Sequence, residues 1–362
     1  MRRNSLTFWL IVFALAALAQ SQDLPKKPLH PNPGRALQLE EVLRIKGEGP
    51  GYYFEGALGL EIDREGCLYI RDSWSSARPS HLLKFAPDGR FLKDLYRQGQ
   101  GPGEIQSGFD FAIMDSEVFL FDLMIPKIVV RSLDGEYRTE IRNAEFGFND
   151  LSGVFDGGLL FERVERPAER PTSRLYDINN VFVRLAKDGR SEKKLASIIN
   201  RQFYGSSSQG GGAMNWDPFS VAIDGNRIYV NATQDYQIRV IDLATGRDEG
   251  LLRREYPRVK HPLKDWEKMF ASKFNAPSRS HENDIKALFH DGSRLWVQTS
   301  TEDKENGTLF DVFDAAGHFI DSVRIKGRVV KIKGDALFIN ESDKDELPSL
   351  AKYRIAEPIG GR

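Results

Sequence analysis

From Ala36 onward the chain alternates apolar and polar positions in short runs punctuated by Gly- and Asp-containing turns. The clearest stretch is Gly56 to Glu104, which holds GALGLEI, CLYIRD, HLLKFA and RFLKDLY, separated by DREG, a Ser/Pro-rich loop and PDG, and closes on GQGPG. A period of two over runs of this length predicts half-buried β-strands rather than helices. Four short strands cannot bury both faces of the sheet they form, so further copies are expected elsewhere in the chain.

Two anchors find those copies. The first is an apolar-aromatic strand after a turn: CLYI at 67–70, VFLF at 118–121, LLFE at 159–162, RIYV at 227–230, RLWV at 294–297 and ALFI at 336–339. The second is the strand and turn that follow it: LLKFAPDG at 82–89, IVVRSLDG at 128–135, VFVRLAKDG at 181–189, IRVIDLATG at 238–246 and FDVFDAAG at 310–317, then LAKYRIAEP at 350–358 with no strand behind it. The sixth unit is one strand short, and ALQLEEVLRIKG at 36–47 is one strand to spare. The pattern therefore predicts an all-β, six-bladed β-propeller over residues 36–362, a single domain whose ring is closed by the N-terminal strand pairing in the last blade. Closure of this kind removes an exposed sheet edge.

Three stretches interrupt the repeat. Residues 163–179 carry prolines and read as a long loop, and residues 203–216 are a Gly/Ser run flanked by aromatics. Residues 261–274 place Leu263, Trp266, Met269, Phe270 and Phe274 at helical spacing with Pro262 near the start, which predicts one amphipathic helix.

The first unit, G-L-E-I-D-x-x-G-x-L-Y-I-x-D…L-x-K-F-x-P-D-G-x-F-L…G-x-G-P-G-E over Gly59 to Glu104, resembles the NHL-type repeat and, through the Gly-x-Gly-Pro-Gly-Glu run, a family of exported six-bladed β-propellers. The resemblance is fair in the second, fourth and fifth units and poor in the third. It implies the same ring architecture and brings no catalytic residue with it. The Gly-x-Gly-Pro-Gly runs at 47–51 and 99–103 read as turns at blade joins, because proline removes a donor and no helix follows to make a phosphate cradle.

Charge narrows the range of functions. Lys and Arg total 51 against 52 Asp and Glu, so the basic excess that phosphate backbones require is missing and no nucleic-acid partner is expected. Residues 1–19 pair Arg2 and Arg3 with an apolar run ending in Ala17-Leu18-Ala19, the form of a secretory signal, and residues 20–35 are a Pro-rich leader expected to be extended. That apolar run is too short to span a bilayer. The expectation is an exported protein, periplasmic or secreted, without a stable membrane anchor after cleavage and monomeric. Cys67 is the single cysteine and reads as a small core side chain.

Motifs for nucleophilic elbows, zinc sites and nucleotide loops are missing. What remains is positional. An acid precedes or opens five of the inner strands: Glu55, Asp110, Asp150, Asp217 and Asp284. Around a channel mouth such acids form either a solvated rim or, if they converge, a site for Ca²⁺ or Mg²⁺, with oxygen ligands also available in His281-Glu282-Asn283-Asp284. Propeller lactonases and related hydrolases hold calcium with such residue types, but none of their sequence signatures accompanies these acids here. Tyr53, Tyr204, Trp216, His281 and Asn283 are the candidate ligand-binding residues, since aromatics beside Gly-rich loops offer stacking surfaces. Two functions stay open. One is a non-catalytic module that recognises a protein, peptide or glycan on one face of the ring. The other is a divalent-metal-dependent hydrolase or lyase acting on a lactone, peptide or glycan through the rim acids.

Overall fold

The computed structural model describes residues 34–72, 80–106, 108–142, 150–167, 175–207, 210–274, 276–342 and 348–360. The signal segment, most of the leader, and Arg170 and Arg174 of the 163–179 stretch lie outside the described residues. Among the described residues no helix is long and apolar enough to cross a membrane.

The strands assemble into six mainly antiparallel sheets, plus one small hairpin of Glu48–Gly49 with Tyr52–Tyr53. The first blade is Ala57–Ile62, Leu68–Asp72, Leu82–Phe85 and Phe91–Asp94, in that spatial order. The second opens on Phe109–Met114, the third on Asp150–Phe155, the fourth on Ser220–Asp224, the fifth on Ile285–His290 and the sixth on Arg328–Lys333. The outer strand of the sixth blade is Leu39–Lys46, which pairs antiparallel with Ser349–Ile355 through Ile45 opposite Leu350. The fold is a six-bladed β-propeller closed by its N-terminal strand.

Alternation in sequence explains why the ring holds together. In the second strand of the first blade, Cys67 and Tyr69 face the second blade, where they meet Phe109, Phe111, Val118 and Leu120. Their neighbours Leu68 and Ile70 point the other way, onto Phe338 and Leu350 of the sixth blade. Each blade is thus apolar on both faces, and six clusters fill the six gaps between neighbours. A sheet buried on both sides is what near-continuous apolar runs such as LLKF and VFLF require. Cys67 is buried, as its place in the strand implied.

The run GQGPG at 99–103 is scaffold. Glu104 turns back to accept the Gly101 N–H at 2.9 Å, and the Gly103 N–H donates to Glu140 at 3.1 Å. The carbonyl of Gly103 accepts from buried Arg131 at 2.6 Å, and that of Gly101 lies 3.4 Å from Nζ of the fully buried Lys127. The turn therefore supplies acceptors to two buried cations, beside Glu140 for Lys127 and the Gly135 carbonyl for Arg131.

The third blade departs from the sequence expectation. Its second strand runs Gly158–Glu165 and its third Leu175–Ala186, with Glu165 paired to Asn179, so strand pairing reaches into the stretch expected to be a loop from residue 163. The Gly/Ser run at 203–216 is a β-hairpin, not a loop. The strand Glu192–Ser207 continues into it and pairs back with Gly210–Asn215, adding a fifth strand. The helix forms at Asp265–Phe274, four residues inside the expected start, and packs onto this hairpin. The packing explains the glycine: a Cβ on Gly205 would sit 2.5 Å from Cβ of Phe274. A second extra strand, Arg35–Ala36, runs parallel to Phe319–Ile325 on the fifth blade.

Candidate functional site

The inner strands enclose a cavity of about 710 Å³ on the ring axis, lined from five of the six blades. Its wall mixes polar and apolar surface, the apolar part coming from side chains such as Leu58, Val154, Phe219, Val221 and Leu288. The charges sit in two groups, one near the strand starts and one towards the strand ends.

Pairing in the sheets identifies the first group. The residue opposite the start of each inner strand is polar in all six blades: Asp72 opposite Ala57, Asp122 opposite Phe109, Glu162 opposite Asp150, Asn231 opposite Ser220, Thr299 opposite Ile285 and Asn340 opposite Arg328. In five blades this side chain ties down backbone. Asp72 accepts from the Glu55 N–H at 3.0 Å and Asp122 from the Gln106 N–H at 2.8 Å. Asn231 donates to the Gln237 carbonyl at 2.8 Å, and Thr299 to that of Leu309 at 3.0 Å. Asn340 clamps Ala57 from both sides, at 3.1 and 2.8 Å. Glu162 holds the same position with a longer side chain, makes no hydrogen bond to a described residue, and lines the channel beside Asp150.

Electrostatics follow from that placement. Burial, and then the charge of Asp150, push the Glu162 carboxyl up to about 7. Burial and the nearby Asp110 likewise raise Asp150, against a smaller opposing pull from Arg71. Asp110 itself is held in an ion pair with Arg71 and accepts the Leu151 N–H at 3.3 Å, so it links the first three blades. Towards the other end, Glu61 and Lys331 form an ion pair at 2.8 Å across the first and sixth blades. His290 also lines the channel, stacked on Tyr229 with ring centroids 5.6 Å apart. Its Nδ1 accepts the Gly292 N–H at 3.1 Å, which leaves the proton on Nε2. That Nε2 has no hydrogen-bond partner; Asp224 is 3.5 Å away.

The five rim acids do not converge. Asp110 and Asp150 come together with Glu162 and Arg71, but the other three are used elsewhere. Glu55 is exposed. Asp217 is buried and gripped by Arg201 through two hydrogen bonds, at 2.7 and 2.9 Å. Asp284 is buried and caps the Tyr236 N–H at 2.9 Å. Among the described residues no three His, Cys, Asp or Glu side chains form a group that could hold a metal ion, so the Ca²⁺ or Mg²⁺ site expected of Glu55, Asp110, Asp150, Asp217 and Asp284 finds no ligand set there.

The expected aromatic surface is partly assembled. Trp216 carries the guanidinium of Arg279 4.9 Å from its ring centre. Arg279 also donates to the Asn215 carbonyl at 3.1 Å and lies 3.4 Å from Oδ1 of Asn283, so Trp216 and Asn283 share one cluster. His281 bonds Ser280 at 2.8 Å, and Tyr204 lies on the hairpin opposite Ala213. Tyr53 is in the small hairpin beside the closing strand, half-buried. Arg71, Glu162 and Arg279 were not singled out by sequence. For Glu162 a signal existed, since aligning the six anchor strands sets Asp, Asp, Glu, Asn, Thr and Asn in one column.

Comparison with known proteins agrees with the architecture. A family model described as a 6-bladed beta-propeller, DUF5128, matches residues 60–207. Among solved structures, a Bacteroides fragilis protein whose name marks it as exported is 17% identical, with a TM-score of 0.54 over 92% of this chain and 99% of its own. A DUF4221 family member from Bacteroides vulgatus is 11% identical, with a TM-score of 0.52 over 90% of this chain and 99% of its own. At these identities the likeness is one of fold. No curated protein matches the chain.

Proposed function

We propose that this chain is an exported, non-catalytic recognition module that takes a protein, peptide or glycan ligand into the mouth of the axial channel, on the face where the inner strands begin. One observation carries this reading: Glu162 departs from the five structural copies of its position and turns a carboxylate onto the channel instead of onto backbone. Apolar side chains such as Val154, Phe219 and Leu288 share the wall with it, a mixed lining that can both bury and orient a ligand. Export rests on the signal-like residues 1–19.

The test is a plugged channel. Ser152 lines the cavity and is half-buried, so Ser152→Trp fills it without opening the core. Peptide and glycan arrays probed with the native chain and with S152W should share no strong binder, while the two proteins melt alike. A ligand captured equally by both would place recognition elsewhere, and arrays without any binder for the native chain would overturn the reading.

A further inference from the structure

We propose that the helix Asp265–Phe274 is a pH-sensitive lid over Met214 and Trp216 of the third-blade hairpin, latched by His261, which bridges two carboxylates only while its ring carries two protons. The lid stands or falls independently of what enters the axial channel.

Hydrogen-bond geometry fixes the charge of the latch. Nδ1 of His261 lies 2.6 Å from Oε1 of Glu282, and Nε2 lies 3.0 Å from each carboxylate oxygen of Glu267. A carboxylate only accepts, so both ring nitrogens donate, and the imidazole that can do this is the cation. A protonated acid on either side would satisfy the same contacts, but both carboxyls are held ionised. Burial pushes the Glu267 carboxyl up, yet the Lys264 N–H at 2.8 Å and then His261 hold it below the usual carboxylate value. Burial acts on Glu282 in the same way and is outweighed by Lys286 and then His261. Of the other charges nearby, Arg279 and Lys264 act on these acids through space and Lys268 is turned to Asp265 at 3.0 Å, while the hairpin strand GGGAMN brings none. The His261 side chain is 9% exposed, so solvent screens these contacts little.

Placement turns the contact into a latch. On the ring side, the His261 N–H donates to the Ser280 carbonyl at 3.1 Å and the Glu282 N–H to the Val259 carbonyl at 2.8 Å, just ahead of the fifth inner strand. Glu267 lies in the first turn of the helix, so its contact with His261 joins helix to ring. Glu267 and Ala271 face Met214 and Trp216 across a small cavity that Arg279 helps to close. Met269 of the helix and Leu263 just before it are exposed, so apolar burial does not account for their share of the docking. When the ring loses a proton, one nitrogen presents a lone pair to a carboxylate that also only accepts, and attraction becomes repulsion. Release of the helix then uncovers Trp216, an anchor of the kind that binding surfaces use.

The experiment is hydrogen exchange by mass spectrometry on the full chain at about pH 5.5 and about pH 9, on either side of the ordinary range of imidazole, with rates corrected for intrinsic exchange. Protection of peptides covering the helix should fall about tenfold or more between the two, as expected when a charge-assisted contact turns repulsive, while blade strands such as Leu295–Asp303 keep theirs. Glu282→Gln should keep the helix protected at about pH 9, because an amide can accept from the charged ring or donate to the neutral one. His261→Gln should leave helix protection equal at both pH values. Native protection that does not change, or that falls equally in H261Q, overturns the latch. Helix protection lost at high pH in E282Q as fully as in the native chain overturns it too, since the second carboxylate is then not what expels the neutral ring. Loss spread evenly over the blades overturns the lid, because the ring rather than the helix is then what opens.

Discussion

Replacing Glu162 by glutamine should make this protein more stable above neutral pH, against the usual direction of a point substitution. The folded chain raises this carboxyl from its ordinary 4.5 to about 7, chiefly by burial and then by the charge of Asp150. Between those two values the folded state binds more protons than the unfolded state. Stability therefore falls as pH rises through that window and levels off above about pH 7. A displacement of about 2.5 in pKa corresponds to about 3 kcal/mol as an upper limit. Because Glu162 sits at a channel open to solvent and shares its cost with Asp150, about 1–2 kcal/mol is the working figure. Glutamine keeps the shape and removes the charge, so the penalty disappears.

For a ring of this length, unfolding entropy of about 2 cal/mol/K per residue translates that gain into a rise in Tm of about 1.5–3 °C. The assay is scanning calorimetry of native protein and E162Q across a pH series. The two should melt together near pH 4, where both side chains are neutral, and separate progressively up to about pH 8, with E162Q the higher. If E162Q melts below the native protein at pH 8, the carboxylate is ionised and well partnered in the folded state. The view of Glu162 as a released repeat position then fails with it.

Two further outcomes test the scaffold. Gly307→Ala should cost about 2 kcal/mol or more in urea unfolding, because its φ of +82° disfavours any side chain and a Cβ would stand 2.2 Å from the Ile325 carbonyl oxygen; an unchanged midpoint would refute the turn geometry. Ile45→Ala should cost about 2–4 kcal/mol, since Ile45 is 3% exposed where the closing strand meets the sixth blade, and an effect below about 1 kcal/mol would mean the ring does not depend on that closure.

How much of this was legible in the sequence varies by blade. Where strands are buried on both faces, composition and spacing carry the signal, and VFLF, RIYV and ALFI each mark a second strand at its observed place. The closing strand was legible by subtraction, since one unit lacked a strand and the N-terminus had one over. The third blade was not. Glycine and serine have little strand propensity, so residues 203–216 read as a loop, and only pairing of Gly205 with Gly212 and the approach of Phe274 make them a hairpin. The rim acids failed differently. Sequence placed them near inner-strand starts but could not tell which would be turned to other work, as Asp217 is by Arg201 and one oxygen of Asp284 is by the Tyr236 N–H.

That failure points to a sharper rule for repeat proteins of this kind. An acid near the channel carries little information by itself, because most copies exist to satisfy backbone that the blade geometry leaves open. The informative residue is the one copy relieved of that duty. At the end of the second strand, five blades keep a side chain that bonds nearby backbone, and the third keeps a longer acid that does not bond a described residue. A carboxylate left beside another carboxylate in a half-buried channel lowers stability, by the magnitude worked out for E162Q. The third blade thus carries a repulsion the other five avoid, and the destabilisation should vanish when Glu162 and Asp150 are neutralised together.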